Sequence, residues 1–235
     1  MADSEVLLRY IENHLPNESG DQAMGEQVIQ LISLRDELAH FRKEMMFYEC
    51  ALLEIKTKLD VLDKELSMSN NRSPIESVKM RIKTPSSIYE KLTRKGIEFS
   101  VDAISANLED VAGIRVVSLF IDDIYAIRDY LLKQDDIKVI QEKDYIKNPK
   151  DNGYRSLHLI IEIPIFLSNE KKQMHVEVQL RTIAMDFWAS VEHHIKYKKN
   201  IKNDETVTEE MKYAAELMNQ LDKRMMQLGK IIDKN

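Results

Sequence analysis

Apolar residues recur at alternating spacings of three and four along a stretch without Gly or Pro, residues 26–72. This spacing places them on one helical face, so the stretch predicts one long helix or two consecutive helices with a heptad seam. Residues 211–232 repeat the pattern and predict another long helix. The N-terminal seam contains Leu31, Leu34, Leu38, Phe41, Met45, Tyr48, Leu52, Ile55, Leu59, Leu62 and Leu66, and the C-terminal seam contains Met211, Ala214, Met218, Leu221, Met225, Leu228 and Ile232.

The pattern leaves two interpretations of these seams open. They can pack on the sheet of their own domain or on each other, as amphipathic helices ordinarily do. Alternatively, part of a seam forms a subunit interface, because a seam of this length exceeds what one small domain needs.

Between the two helical ends, short runs of branched apolar residues alternate with helical stretches. This alternation predicts an α/β (α+β) fold, in which a mixed β-sheet is flanked by helices and the order of the strands is left open. The predicted strands are residues 114–121, 157–165, 174–180 and 137–140. The predicted helices run from a cap at Ser86 or Ser87 to about Lys95, over residues 124–132 and over residues 182–197.

These elements divide the chain into four parts. Residues 1–25 are acidic and carry Pro16, Gly20 and Gly25, which indicates a mobile extension. The other parts are an N-terminal helical region at 26–72, a core at 73–200 and a C-terminal helix at 201–235.

Composition narrows the function classes. Lys and Arg number 34 and Asp and Glu number 40, a formal net charge of −6. This balance argues against a general binder of DNA or RNA, so any anion site must be local. The single Cys50 excludes an intramolecular disulfide and favours a reducing cytoplasm. No apolar run approaches the roughly 20 residues that a membrane span needs, and the acidic start does not resemble a signal peptide.

A first chemical signal is a cluster of cations between Lys79 and Lys95 that contains one acid, Glu90. Arg81 and Lys83 are two apart in an extended piece, and Lys91 and Arg94 lie on one helical face. Together with the exposed amides at the start of that helix, near Ser87, they could bind a polyphosphate without a glycine-rich loop. A solvated charged surface would have the same composition.

A second signal is a pair of carboxylates. Asp110 immediately precedes a predicted strand, and Glu177 lies on the polar face of another, in a row with His175, Gln179 and Arg181. A carboxylate in such a row can bind Mg²⁺ or accept a proton from a hydroxyl. An ordinary exposed strand face remains the alternative.

A third signal spans residues 143–158, where a turn at Asn152 and Gly153 presents Tyr154 among several cations. An aromatic ring among Lys and Arg side chains suits a nucleotide base and its phosphates. A lysine-rich surface loop is the competing interpretation.

Common nucleotide and metal motifs are missing from the sequence. It has no GxxxxGK[ST], GxGxxG, HExxH or CxxC pattern, so P-loop, dinucleotide-binding and zinc-protease interpretations have no support.

Taken together, four segments resemble, in order and spacing, the motifs of the synthetase domain of the RelA/SpoT-homologue superfamily. Residues 81–94 resemble its ATP motif and 110–115 its metal-binding motif. Residues 143–158 resemble its guanine-nucleotide motif and 177–182 its catalytic strand. The resemblance covers roughly residues 44–230 and is closest to the stand-alone small alarmone synthetases.

The resemblance implies a cytoplasmic GTP diphosphokinase that transfers the β,γ-pyrophosphate of ATP to the 3′-hydroxyl of GDP or GTP, with Mg²⁺, and has no hydrolase activity. It also implies a homotetramer assembled through the terminal helices. From charge and hydropathy we expect no membrane or DNA partner, and RNA binding is possible but not indicated. The implied catalytic and metal residues are Asp110 and Glu177. The implied ATP residues are Arg81, Lys83, Ser87, Lys91, Arg94 and Arg115, and the GDP or GTP residues are Lys143, Lys150, Asn152, Tyr154, His158 and Gln179.

The rival function is a regulator with the same fold that binds nucleotides or RNA without catalysis. The complete set of basic and acidic site residues favours the enzyme.

Overall fold

The computed structural model describes residues 21–70, 72–199 and 205–232. Six helices and five strands make up these ranges. The helices are α1 (Asp21–Asn70), α2 (Pro85–Arg94), α3 (Val101–Asn107), α4 (Ile121–Leu132), α5 (Ile183–Lys199) and α6 (Glu205–Ile232). The strands are β1 (Ile75–Ile82), β2 (Ala112–Ser118), β3 (Lys138–Asp144), β4 (Leu157–Phe166) and β5 (Lys171–Thr182).

The five strands form one sheet in the order β1-β2-β5-β4-β3. Strands β2 and β5 are parallel, whereas the other three neighbouring pairs are antiparallel. The predicted mixed sheet flanked by helices is therefore confirmed. The parallel pairing of β2 with β5 places the strand that follows Asp110 beside the strand that carries Glu177.

One face of this sheet forms the hydrophobic core. Alternation along each strand turns the branched residues to that face, where α1 covers them. From α1, Tyr48, Ile55 and Leu59 are fully buried against the sheet. The sheet side of this core includes Ile114, Val116, Leu159, Ile161, Val176 and Val178.

The two predicted seams differ in how much of their apolar surface is buried within the described residues. In α1, the part from Tyr48 to Leu66 is buried on the protein's own sheet, whereas Leu31 is 55% exposed. The C-terminal helix α6 packs against α5 through a small cluster around Trp188 and Ala215. Its opposite face leaves apolar side chains about half exposed: Leu217, Leu221, Met225, Leu228 and Ile231.

Several predicted boundaries were wrong for local reasons. The cap of α2 is Thr84, not Ser86 or Ser87: its hydroxyl accepts from the Ser87 amide, and Pro85 takes the first helical position, where no amide is needed. The strand predicted to reach Ile121 ends at Ser118, because the Asp123 carboxylate accepts from the Phe120 amide and starts α4.

Two elements went unpredicted. Strand β1 was expected only as an extended piece around Arg81 and Lys83, and helix α3 was not expected at all. The third strand is longer than the 137–140 segment. Helix α1 includes residues 21–25, while the rest of the predicted extension, residues 1–20, lies outside the described residues.

Candidate active site

A polar row crosses the whole sheet on the face opposite the core. The strand pairings place Lys79 opposite Arg115, Arg115 opposite Gln179, Gln179 opposite His158, and His158 opposite Lys143. Glu177 lies two residues from Gln179 on the same face, with Gly113 as its neighbour on β2. Because Gly113 has no side chain, the β2 side of Glu177 stays open. The row gathers residues from three of the predicted motifs on one surface.

Asp110 precedes β2 and binds two lysines. Its Oδ2 lies 2.8 Å from Lys83 Nζ and 2.6 Å from Lys91 Nζ. Lys83 follows β1 and its amide donates to the Val111 carbonyl, whereas Lys91 projects from α2. Burial alone would raise the pKa of Asp110, but the hydrogen bonds and charges of the two lysines outweigh it and lower that pKa. Asp110 is therefore held as an anion.

Two buried polar atoms in this region have no hydrogen-bond partner among the described residues. They are Asp110 Oδ1 and Arg115 Nε. Buried polar groups are nearly always paired in native proteins. Asp110 Oδ1 can accept a hydrogen bond or a metal ion and Arg115 Nε can donate a hydrogen bond, so these two atoms are suited to contact a ligand.

His158 and Gln179 hold the two oxygens of Glu177. His158 Nδ1 lies 3.0 Å from Oε1, and Gln179 Nε2 donates to Oε2 at 3.0 Å. Burial acts to raise the pKa of Glu177 and the charge of Asp110 adds to this, but the interactions with His158 and Gln179 prevail and lower it. Glu177 is an anion near neutral pH without any lysine or arginine contact in the described residues.

His158 connects Glu177 to the loop between β3 and β4. Its Nε2 lies 2.7 Å from the Tyr154 hydroxyl, which accepts from Arg181 Nη2 at 2.6 Å. Arg181 also donates to Asp186 at 3.1 Å, and the same carboxylate lies 3.0 Å from Arg115 Nη1. A continuous chain of contacts thus links Glu177 to Arg115.

The loop after β3 presents an aromatic surface. The rings of Tyr145, Tyr154 and His158 lie edge to face, with centroids 5.3 to 5.9 Å apart. Lys150 Nζ lies 4.7 Å from the centroid of Tyr145 and 5.0 Å from that of Tyr154. The Asp144 carboxylate accepts from the amides of Ile146 and Lys147 and fixes the start of the loop.

Helix α6 supports the same loop. Gly153 has a φ of +87°, and a Cβ there would lie 2.6 Å from Ala215 Cβ, so only glycine fits. Arg155 donates to the carbonyls of Gly153 and Ala215 and pairs with Glu216. Asn152 Nδ2 donates to Glu192 on α5.

The remaining predicted residues lie outside these two groups of contacts. Arg81 lies near the end of β1 opposite Gly113, Ser87 lies in the first turn of α2, Arg94 is exposed at its end, and Lys143 is exposed on β3. The structure thus brings Lys83, Lys91 and Asp110 together, and Tyr154, His158, Gln179 and Glu177 together.

Sequence reasoning did not select four further residues of this network, namely Tyr145, Arg181, Asp186 and Glu192. The polar alternation along β5 already put Arg181 on the face of Glu177. Tyr145 lies within the predicted 143–158 segment, whereas Asp186 and Glu192 had no signal of this kind, because their contacts depend on how α5 folds back.

The described residues contain no group of three or more His, Cys, Asp or Glu side chains that could hold a metal ion by itself. Mg²⁺, however, commonly uses one or two carboxylates and completes its shell with substrate phosphates and water. The open Oδ1 of Asp110 beside the Glu177 charge fits that mode. No helix in the described ranges has the length and apolar character of a membrane span.

Comparison with known proteins gives a consistent result. Residues 80–202 match the family model described as a region found in RelA / SpoT proteins. GTP pyrophosphokinase YwaC of Bacillus subtilis is 40% identical over 210 residues, which are 89% of this chain and 100% of that protein. Small alarmone synthetase 1 of Bacillus subtilis bound to its product pppGpp superposes with a TM-score of 0.70 at 36% identity, covering 77% of this chain and 92% of that one. The same synthetase bound to AMPCPP gives a TM-score of 0.67 at 32% identity, covering 80% and 95%.

Proposed function

The chain belongs to the RelA/SpoT family, and from this premise we propose that it is a GTP pyrophosphokinase. It transfers the β,γ-pyrophosphate of ATP to the 3′-hydroxyl of GDP or GTP, giving ppGpp or pppGpp and AMP. The observation that carries the proposal is Glu177, an anion held by His158 and Gln179 between a lysine-bound carboxylate and an aromatic, cationic loop.

ATP binds on the side of Asp110. Lys83, Lys91, Arg94 and the first turn of α2 at Ser87 bind its phosphates, since convergent cations and helix amides favour polyphosphate. Arg81 and Arg115 stack on adenine. The buried Nε of Arg115, which has no partner among the described residues, supports a ligand in this half. The AMPCPP complex of small alarmone synthetase 1 gives independent support for an adenine nucleotide.

GDP or GTP binds on the side of the β3–β4 loop. Tyr154 stacks on guanine, while Lys143, Lys150 and Asn152 bind the polar groups of the nucleotide. Lys150 already lies against the ring of Tyr154, so a cation accompanies the aromatic surface. The pppGpp complex of small alarmone synthetase 1 supports a guanine nucleotide here.

Transfer requires a base and charge stabilisation. The 3′-oxygen attacks the β-phosphorus of ATP, the bond from that phosphorus to the α,β-bridging oxygen breaks, and AMP leaves. Glu177 accepts the proton of the 3′-hydroxyl, because its carboxylate is ionised and no lysine or arginine among the described residues neutralises it. His158 and Gln179 hold this carboxylate in place.

Mg²⁺ would be held by Asp110 and Glu177 and would stabilise the negative charge of the transferred phosphates. When the phosphates of ATP bind Lys83 and Lys91, Asp110 loses its present partners. Its carboxylate then becomes available to a metal ion. The lysines and Asp110 therefore act as exchangeable partners.

Assembly as a homotetramer through the terminal helices is part of the proposal. The half-exposed apolar stripe of α6, from Leu217 to Ile231, supports it, because such a stripe is ordinarily covered in a soluble protein. We also assign the activity to the cytoplasm, where ATP and GTP occur and a free Cys50 is stable. Light scattering after gel filtration measures the assembly, and a monomer would contradict it.

The decisive experiment incubates the purified chain with ATP, Mg²⁺ and either GDP or GTP and separates the nucleotides by chromatography. We expect AMP and a guanosine tetra- or pentaphosphate in equal amounts. AMP without the guanosine product, or neither product, would contradict the proposed transfer. Nucleotide binding with no product would favour the rival, a silent regulator.

A further inference from the structure

Arg181 is a buried side chain of the site to which the proposed reaction assigns no role. It lies on β5 and is 4% exposed, on the same strand face as Gln179 and Glu177. Its guanidinium carries only donors, so every hydrogen bond it makes has a known direction. It donates to Tyr154, Gln179, Asp186 and Ser156.

A first path runs from Arg181 to one oxygen of Glu177. Nη2 of Arg181 donates to the Tyr154 hydroxyl oxygen at 2.6 Å. The hydroxyl's own proton is then directed to Nε2 of His158, 2.7 Å away, which must accept it when the imidazole is neutral. The ring proton therefore sits on Nδ1, which donates to Glu177 Oε1 at 3.0 Å.

A second path reaches the other oxygen. Arg181 Nη2 donates to Gln179 Oε1 at 3.3 Å, which fixes which end of the amide is oxygen. The opposite end, Nε2, donates to Glu177 Oε2 at 3.0 Å. Both oxygens of Glu177 thus accept hydrogen bonds from side chains, His158 and Gln179, whose orientation is set by Arg181.

Charge compensation alone does not require this arrangement. The charge partner of Arg181 is Asp186, 3.1 Å from Nη1 and shared with Arg115, whereas the Tyr154 hydroxyl and the Gln179 amide carry no charge. The bonds to Tyr154 and Gln179 come from the other terminal nitrogen and run toward Glu177.

We propose that Arg181 is a positioning residue for the transfer step: through Tyr154–His158 and through Gln179 it sets the orientation of Glu177 toward the attacking hydroxyl. The inference rests on the proposed function, because it takes Glu177 as the base. It predicts a role in kcat rather than in ATP binding, since neither path passes through the lysines that contact Asp110.

The test is a double-mutant cycle of Arg181→Lys and Tyr154→Phe, measured as kcat and KM for each substrate. Lysine keeps the positive charge for Asp186, but its one nitrogen cannot reach both paths. We expect Arg181→Lys to lower kcat about 100-fold, as small misplacements of a reacting group do, with the ATP KM within about threefold of wild type. Tyr154→Phe should lower kcat about tenfold alone and have little further effect in the Arg181→Lys background, because both changes break one path.

The inference would be overturned if the kcat losses of Arg181→Lys and Tyr154→Phe multiplied in the double variant, or if Arg181→Lys had a wild-type kcat. Neither result would affect the proposed function, which depends on product formation by the wild type. Arg72→Gln is the matched control, because Arg72 also pairs with a buried carboxylate, Asp123, but away from the site. It should lower thermal stability without lowering kcat.

If Arg181→Lys does not fold, Tyr154→Phe and Gln179→Leu test the two paths with Arg181 unchanged. We expect each to lower kcat, and their combination to lower it more than either. The emission and acrylamide quenching of Trp188, the only tryptophan, report the loop without substrate, because its ring lies 6.3 Å from Tyr154. Unchanged kcat in both variants would contradict the inference.

Discussion

Asp110 and Glu177 lie on one face of the sheet, yet donors of different kinds hold them. Two lysine ammonium groups bind Asp110 through a single oxygen and leave its other oxygen unpartnered within the described residues. His158 and Gln179 bind the two oxygens of Glu177, one oxygen each. In both cases burial favours the protonated acid, and the partners outweigh it.

The difference assigns different work to the two carboxylates. The charge of Asp110 is balanced by its two lysines, so in the proposed reaction Asp110 meets a metal ion only after ATP has bound those lysines. The charge of Glu177 is not neutralised by a lysine or arginine within the described chain, which suits a proton acceptor. One site thus contains a carboxylate with exchangeable partners and a carboxylate with permanent ones.

The largest expected effect comes from Glu177→Gln. The amide cannot accept the proton, so we expect kcat to fall by about 1,000-fold or more. The amide can still bond to His158, so circular dichroism and thermal melting should stay near wild type. Glu162→Gln is the matched control, because Glu162 lies on β4 and contacts His175 on the same polar face, and it should keep full activity. A Glu177→Gln variant with near wild-type kcat would remove its assignment as base.

A smaller loss of activity and a loss of stability are expected for Asp110→Asn. The change removes the carboxylate charge that Lys83 and Lys91 contact and removes a proposed metal ligand. We expect kcat to fall about 100-fold and the free energy of unfolding to fall by about 1–2 kcal/mol. Urea unfolding measures the second quantity. If Asp110→Asn were as stable as wild type, the ion pairs of Asp110 with Lys83 and Lys91 would not be stabilising. That result would contradict the proposal that the lysines hold Asp110 as an anion.

The sequence predicted the centre of the sheet better than its edge. Strands β4 and β5 are long branched runs with clear alternation, because both lie in the middle of the sheet, and so the row containing Glu177 and Gln179 was predictable. Strand β1 is an edge strand that carries Lys79 and Arg81 and is half exposed, so its apolar signal is weak.

The contacts that organise the candidate site are mostly long-range, and sequence patterns do not contain them. Asp186 meets Arg115 and Arg181 only because α5 turns back over the end of β5. Gly153 was recognised as a turn, but the need for glycine also comes from Ala215 on α6, far along the chain. Local periodicity predicts which face a residue occupies, whereas the partner on that face depends on topology.

Unfolding at several pH values tests the charge of Asp110, by comparing the wild type with Asp110→Asn. Asp110 and Glu177 both have a lower pKa in the folded protein than their ordinary values. A depressed folded pKa contributes stability above the unfolded pKa, and that contribution is lost as the pH falls through the folded pKa. We therefore expect the wild type to lose its stability advantage over Asp110→Asn as the pH falls from about 4, the ordinary value for Asp, through the lowered folded pKa. An advantage that grew on acidification would contradict the lowered pKa.

The smallest effect is expected at Asp222, a buried carboxylate on α6 with weaker support than Asp110 or Glu177. Among the described residues one donor, the Thr182 hydroxyl, bonds to it at 2.7 Å, and burial raises its pKa despite Thr182 and the charge of Arg155. Its ionised form is thus disfavoured in the folded state, so stability should rise as the pH falls through its raised folded pKa. Asp222→Asn keeps the acceptor for Thr182 and removes the buried charge. We expect it to increase the free energy of unfolding at pH 7 by about 1 kcal/mol or less, without a change in kcat. A destabilised Asp222→Asn would mean that Arg155 compensates this charge as fully as the lysines compensate Asp110.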